Sequence, residues 1–348
     1  MARSSAPPLP AGLVPMEARL VAELPEEGRW QFEPKWDGFR CLAGRNCAHI
    51  ELRARSGKPL ARYFPEVAAA LLGLRSLRFV LDGELLIPVG KTLSFDALQM
   101  RLHPAQSRIE KLARETPALF MAFDMLQMGE NPLLQKPLVE RRATLEAFFG
   151  SESDPPGLRL SPFTRSRPEA LGWLGRAGAG ALDGVVAKLT DAPYQPGERS
   201  MLKVKCLRTA DCVVGGFRYG THRREVGSLL LGLFNNAGKL DHVGFTSAIA
   251  EAQRPALTRK LEKLRGGSGF TGSAPGGPSR WSTERSGEWE PLKPKLVAEV
   301  QYDQVTGRRF RHGTRFLRWR PDKAPEQCTM SQLRQEARPS RLLAALLR

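Results

Sequence analysis

The chain has 348 residues, room for two domains of ordinary size. With 41% hydrophobic and 26% charged residues it can bury a sizeable core, and no run approaches the roughly 18 consecutive apolar residues of a membrane span. A formal charge of +17, from 53 Lys+Arg against 36 Asp+Glu, points to a polyanionic partner. The excess is uneven. Residues 208–348 hold 25 basic and 13 acidic side chains, an excess of 12, and residues 1–207 an excess of only 5.

The first 14 residues, rich in Pro, Ala and Ser, lack the apolar core of a secretory leader and are expected to be a disordered lead-in. Five cysteines (Cys41, Cys47, Cys206, Cys212 and Cys328) fit no zinc spacing, so free thiols in a reducing cytoplasm are expected. His49, His103, His222, His242 and His312 form no ligand pattern either.

In chain order, residues 21–44 predict a strand, a loop and a second strand. Apolar spacing predicts a helix over 64–74. Residues 78–88 form a β-rich run that Asp82-Gly83 is expected to break, and 118–128 a further strand. An amphipathic helix over 138–150 stops at Gly150 and a loop over 151–157 follows. Strands over 181–190 and 201–207 close the first segment, a domain of 15–207. Beyond it, strands over 210–220, 227–235, 239–249 and 295–305 accompany one basic helix over 255–266. Several short strands with one helix fit a small OB-fold barrel over 208–330, interrupted by a Gly-rich, flexible loop over 265–280. Residues 331–348 are expected to be a tail. The fold class is α+β.

No single motif is specific, but their order is. Lys35-Trp36-Asp37-Gly38 places a lysine before a turn-permitting glycine. Arg53 and Arg55 follow, then Asp82-Gly83-Glu84, Phe123-Asp124, Asp183-Gly184 with Lys188, Lys203-Val204-Lys205, and Arg318-Trp319-Arg320-Pro321-Asp322-Lys323. This series, over about residues 15–330, resembles the signature of the covalent nucleotidyltransferases, and of the ATP-dependent DNA ligases in particular. The stretches 201–218 and 309–323 look like the small bacterial ligases of the C type, which resemble the ligase module of the bacterial end-joining ligase without its polymerase and nuclease parts. The resemblance implies a nucleotidyltransferase (ATP-grasp-like adenylation) domain of antiparallel sheets and helices before the barrel, joined by a hinge near 205–210. It implies sealing of 3′-OH/5′-phosphate nicks through a lysyl-AMP and a DNA-adenylate, in repair. It also implies a monomer in the cytoplasm, at the nucleoid; a Ku-like protein or a primase-polymerase as recruiter is left open.

The chemistry of the residues agrees. A protonated lysine, with an ordinary pKa of about 10.4, is a poor nucleophile, and neighbouring cations and desolvation lower that value. Lys35 is the expected nucleophile, with Lys188, Lys203 and Lys205 as the cations around it, able to stabilise charge on the α-phosphate. By resemblance Glu33 accepts from the adenine amino group, Phe123 stacks on adenine, and Arg40 and Arg55 grip ribose or 5′-phosphate. Arg53 is expected at the surface. Phosphoryl transfer calls for Mg²⁺ or Mn²⁺, with Glu84 and Asp183 as candidate ligands; Glu84 is alternatively a ribose ligand. The family usually carries Glu where this chain has Asp183, so a water bridge to metal is expected there. Six arginines between Arg308 and Arg320 interleave with aromatics, suggesting a strand with one basic face. Arg320 and Lys323 match the motif that orients the leaving pyrophosphate, while Arg308 and Arg311 are expected on DNA phosphates. Val89-Gly90-Lys91-Thr92 only mimics the end of a P-loop, because six residues separate Gly90 from Gly83 where four are needed. An RNA ligase or capping guanylyltransferase is the alternative within the superfamily, and a catalytically silent nick-binding protein the alternative outside it.

Overall fold

A computed structural model of the chain describes residues 7–26, 28–152, 155–175, 177, 182–220, 224–276 and 288–333. It divides into two compact units that change over between Cys206 and Leu207. Among the described residues no helix is long and apolar enough to cross a membrane. All five cysteines are free thiols.

The first unit carries two principal sheets. One is four-stranded: Ala18–Leu20 pairs in parallel with Met201–Lys205, which pairs antiparallel with Leu182–Leu189, which pairs antiparallel with Trp30–Trp36. The other runs Leu158–Leu160, Leu119–Met128, Arg78–Leu86, Phe39–Asn46, His49–Ala54. Helices Pro65–Leu72 and Leu138–Ser151 pack on it, and their Val67, Leu71, Leu145 and Phe148 are buried in its core. The Asp82-Gly83 dipeptide does not break its strand. Arg78–Leu86 is one strand paired on both sides: its ladder to Phe39–Asn46 runs through Asp82-Gly83 unshifted, and its ladder to Leu119–Met128 shifts register there. Helices Phe95–Arg101, Gln106–Glu115 and Arg167–Leu174 are not among those the sequence predicts.

The lead-in is corrected in part. Residues 1–6 lie outside the described residues, but Leu9 and Leu13 are buried and pack with Leu42, Val80, Leu126, Tyr194 and Met201. Apolar residues interspersed among prolines thus act as an anchor. Arg53 is also corrected: only 16% of its side chain is exposed, and it bonds Glu51 and the carbonyls of Pro10 and Leu13.

The second unit is built on a sheet in the order Leu240–Thr246, Val226–Phe234, Arg208–Tyr219, Val297–Tyr302, Arg315–Trp319. The expected barrel is not closed by a continuous ladder. Among the described residues, Thr246 at the end of one outer strand bridges to Thr314, the residue before the other. Within the described part of the Gly-rich loop, Phe270 is buried with its ring against His242 and Trp289. Residues 277–280 of that loop lie outside the described residues. The expected tail begins as a short helix, Met330–Leu333, with Leu333 buried, and 334–348 lie outside the described residues. The expected alternation over 308–320 is interrupted. A bulge opposite Glu299–Val300 turns Phe316 and Trp319 together onto the core and leaves Arg315, Leu317 and Arg318 exposed.

Leu9→Ala should lower the stability of the first unit by about 2–5 kcal/mol, the usual range for a buried leucine, read as an earlier transition in urea. An unchanged midpoint would return residues 7–14 to the status of a loose lead-in.

Candidate active site

Lys35 lies near the end of its strand, in register with Gly184, and Gly184 is in register with Lys205 on the next strand. One row across three strands therefore holds two lysines with a glycine between them. The ladder is irregular between Leu182 and Gly184, and Gly184 has φ +153°, a backbone state that side chains resist. A Cβ there would stand 2.0 Å from the Val204 carbonyl oxygen. The bulge brings the nearly buried Asp183 carboxylate to 2.7 Å from Lys35 Nζ and 3.3 Å from Lys205 Nζ. Lys203, one alternate residue along, is half-buried, and its pKa is lowered by burial and then by Lys35, Lys205 and Arg55. Lys35, Lys203 and Lys205 thus converge as expected. The sequence reading did not foresee that a carboxylate sits among them.

Lys188 is not part of that group. It lies in register with Gln31 and reaches Glu33 at 2.8 Å, a buried ion pair to which Gln31 Nε2 also donates at 2.8 Å. Lys188 Nζ stands 4.7 Å from the centroid of the Phe123 ring, and the Arg40 guanidinium stands 4.5 Å from it. Glu33, Lys188, Phe123 and Arg40 therefore form a second cluster, in which Phe123 is 7% exposed. Asp82 and Tyr194 complete it and carried no role in the sequence reading. Arg40 forms a two-pronged bond to Asp82, and Tyr194 donates to the same carboxylate.

The glycine of Lys35-Trp36-Asp37-Gly38 has a packing reason. A Cβ on Gly38 would lie 2.2 Å from the Leu85 carbonyl oxygen and 2.8 Å from Glu84 Cγ. Only glycine lets this turn lie against the strand that carries Glu84. Glu84 is in register with Arg40 and is pushed up to about 7 by burial, which Arg40 and Lys35 partly offset. Arg55 is largely exposed and pairs with Glu17 at 3.2 Å.

Among the described residues no group of three or more His, Cys, Asp or Glu side chains is placed to hold a metal ion. An all-protein cage is therefore not formed. One carboxylate beside a phosphate site still suits Mg²⁺, which keeps several waters and takes phosphate oxygens as ligands. Glu84 fits that role, whereas Asp183 is engaged by two ammonium groups.

In the second unit, Asp211 accepts from Arg320 at 3.0 and 3.1 Å and from Lys323 at 2.6 Å, and Arg320 also holds Asp322. Arg308 is exposed. Arg311 is half-buried, with its Nε bonded to Thr306. His242 is pushed down to about 3 by burial and then by Arg309 and Arg218, so it is neutral near pH 7.

Fold and site together place the chain among the covalent nucleotidyltransferases. Two family models match it: "ATP dependent DNA ligase domain" over residues 15–205 and "ATP dependent DNA ligase C terminal region" over 222–323. The chain belongs to the ATP-dependent DNA ligase family. It is 42% identical over 334 residues to DNA ligase C2 of Mycolicibacterium smegmatis, covering 92% of this chain and 93% of that protein. It is 32% identical to the multifunctional end-joining repair protein LigD of Mycobacterium tuberculosis, of which it spans 37%. A solved structure from a study of Lig E DNA ligases shares the fold, with a TM-score of 0.54 at 19% identity, covering 88% of this chain and all of that one.

A raised carboxyl pKa favours the neutral acid in the folded chain. The contribution of Glu84 to stability is thus full below about 4.5 and lost as pH rises through about 7. Cation binding needs the carboxylate and runs the other way. Mg²⁺-dependent transfer of AMP to the protein should show an acidic limb near pH 7 that Glu84→Gln lacks, and the same limb in both proteins would assign it to another group.

Proposed function

We propose that this chain uses ATP to seal nicks between a 3′-hydroxyl and a 5′-phosphate in duplex DNA, with Lys35 as the nucleophile. The observation that carries the reading is the Lys35–Asp183–Lys205 arrangement on adjacent strands. Asp183 gives the departing proton an acceptor at hydrogen-bond distance. Lys203 and Lys205 stabilise charge on the α-phosphate as it is attacked. Nζ of Lys35 bonds to the α-phosphorus of ATP and pyrophosphate leaves. The AMP passes to the 5′-phosphate of the nick and frees the lysine. The 3′-hydroxyl then attacks that phosphate, joins the strand and releases AMP.

The Glu33–Lys188–Phe123 cluster is the proposed adenine site, with Glu33 accepting from the amino group and Phe123 stacking on the ring. Arg40 and Arg55 are the proposed ribose and phosphate contacts. Mg²⁺, held by Glu84 with water between it and Asp183, would supply neutralisation of phosphate charge. Arg320 and Lys323 are engaged on Asp211 in the second unit, so their proposed task on pyrophosphate requires exchanging a carboxylate for a phosphate. Arg308, exposed, is the better proposed DNA-phosphate contact, since Arg311 is partly tied down. A role in end joining extends the proposal from the LigD relatives; a monomeric state at the nucleoid and recruitment by a Ku-like protein or a primase-polymerase belong to it only as what the resemblance of the sequence implies. An RNA ligase is not favoured, because both matching models and the named relatives are DNA ligases.

Incubated with labelled ATP and Mg²⁺, the chain should gain one AMP, which peptide mass spectrometry places on Lys35. Lys35→Ala should bind nicked DNA and gain none. Label on another residue, or none on the wild type, refutes the assignment. Phe123→Ala should weaken ATP use by about 1–3 kcal/mol, the scale of one base–aromatic stack. An unchanged apparent ATP affinity would make Phe123 a core residue only.

A further inference from the structure

Arg40 is held by a chain of hydrogen bonds that begins in the N-terminal segment. The Met16 N–H donates to the Tyr194 hydroxyl at 2.8 Å, and that hydroxyl donates to Asp82 Oδ2 at 2.6 Å. Asp82 accepts from Arg40 Nε and Nη2, each at 2.6 Å. Nη2 also reaches the Met16 carbonyl oxygen at 3.3 Å, so the backbone of residue 16 touches both ends of the chain. Burial and then Asp82 raise the Tyr194 pKa well above its ordinary value, which keeps the hydroxyl protonated and a donor. Asp82 is fully buried and Tyr194 is 1% exposed. The guanidinium at the end of this chain lies over the Phe123 ring. Nε and Nη2 are committed to protein, and among the described residues Nη1 alone has no hydrogen bond, which leaves it for a ligand.

We propose that Tyr194 is a positioning residue for ATP: through Asp82 it fixes the rotation of the Arg40 guanidinium, so that Nη1 is offered to the nucleotide beside Phe123. This rests on reading the cluster as the ATP site. An arginine facing a buried carboxylate without Tyr194 still pairs, but one acceptor oxygen loses its second bond and the fork can turn. A donor that grips the nucleotide alike in the ground and transition states sets affinity and not the saturated rate.

The test is single-turnover transfer of AMP from labelled ATP to the full chain. Tyr194→Phe keeps the ring in its buried place and removes the hydroxyl. It should raise the ATP concentration for half-maximal rate about tenfold, the scale of one hydrogen bond to a charged group, with the saturated rate close to wild type. In an Arg40→Gln background the same change should add nothing, because both act through one path. A wild-type ATP dependence in Tyr194→Phe, or full additivity with Arg40→Gln, overturns the proposal. Should Tyr194→Phe fail to fold, Asp82→Asn is read in the same assay. A raised ATP requirement there supports the chain and an unchanged one overturns it. Absence of AMP on Lys35 in the wild type would instead sink the ligase reading itself.

Discussion

One carboxylate between two lysines organises the active face of the first unit. Asp183 has 5% of its side chain exposed and accepts from Lys35 and Lys205 across neighbouring strands. Without it, two ammonium groups in one row, with Lys203 close by, would repel each other in a poorly solvated place. The bulge that delivers Asp183 exists because residue 184 has no side chain, and a β-carbon there would collide with the adjacent backbone. Electrostatics and backbone geometry thus converge on a single dipeptide. Removing the acid would leave uncompensated charge, a larger penalty than the pair is worth by itself.

Charge in this chain is arranged in paired sets. In the first unit, Glu33 faces Lys188, Asp82 faces Arg40 and Asp124 faces Arg141, each acid nearly or fully buried. In the second, Asp211 gathers Arg320 and Lys323. Only Asp183 and Asp211 gather two cations each, whereas Glu33, Asp82 and Asp124 each serve one cationic partner in the interior.

Much of this could be read from residue order. Lys35 and Asp183 are far from each other in the chain, yet the sheet register brings them together with Lys203 and Lys205, and Phe123 meets Glu33's partner Lys188 in the second cluster. Most strands were legible from their apolar runs, including those holding these residues. Other features carried no local signal. Lys188 sits on the same strand as Asp183, and only the register opposite Gln31 shows that it serves Glu33. Tyr194 lies in a Pro-rich loop with nothing to mark it, and its role comes from a partner 112 positions away. Leu9 and Leu13 looked disordered because composition describes a segment by itself, whereas their burial depends on a groove made elsewhere. The bulge at Arg315–Trp319 hid in an apparently regular alternation.

The register of the four-stranded sheet also bears on synthesis. The strand bearing Lys35 is made early, yet its neighbour begins at Leu182 and the strand beyond ends at Lys205. Ala18–Leu20, earlier still, pairs with Met201–Lys203. A nascent chain on the ribosome therefore carries Lys35 through most of the first unit's translation with no sheet partner for its strand. Such long-range closure folds slowly and leaves strand edges open meanwhile. The four-stranded sheet can close only when Met201–Lys205 has emerged.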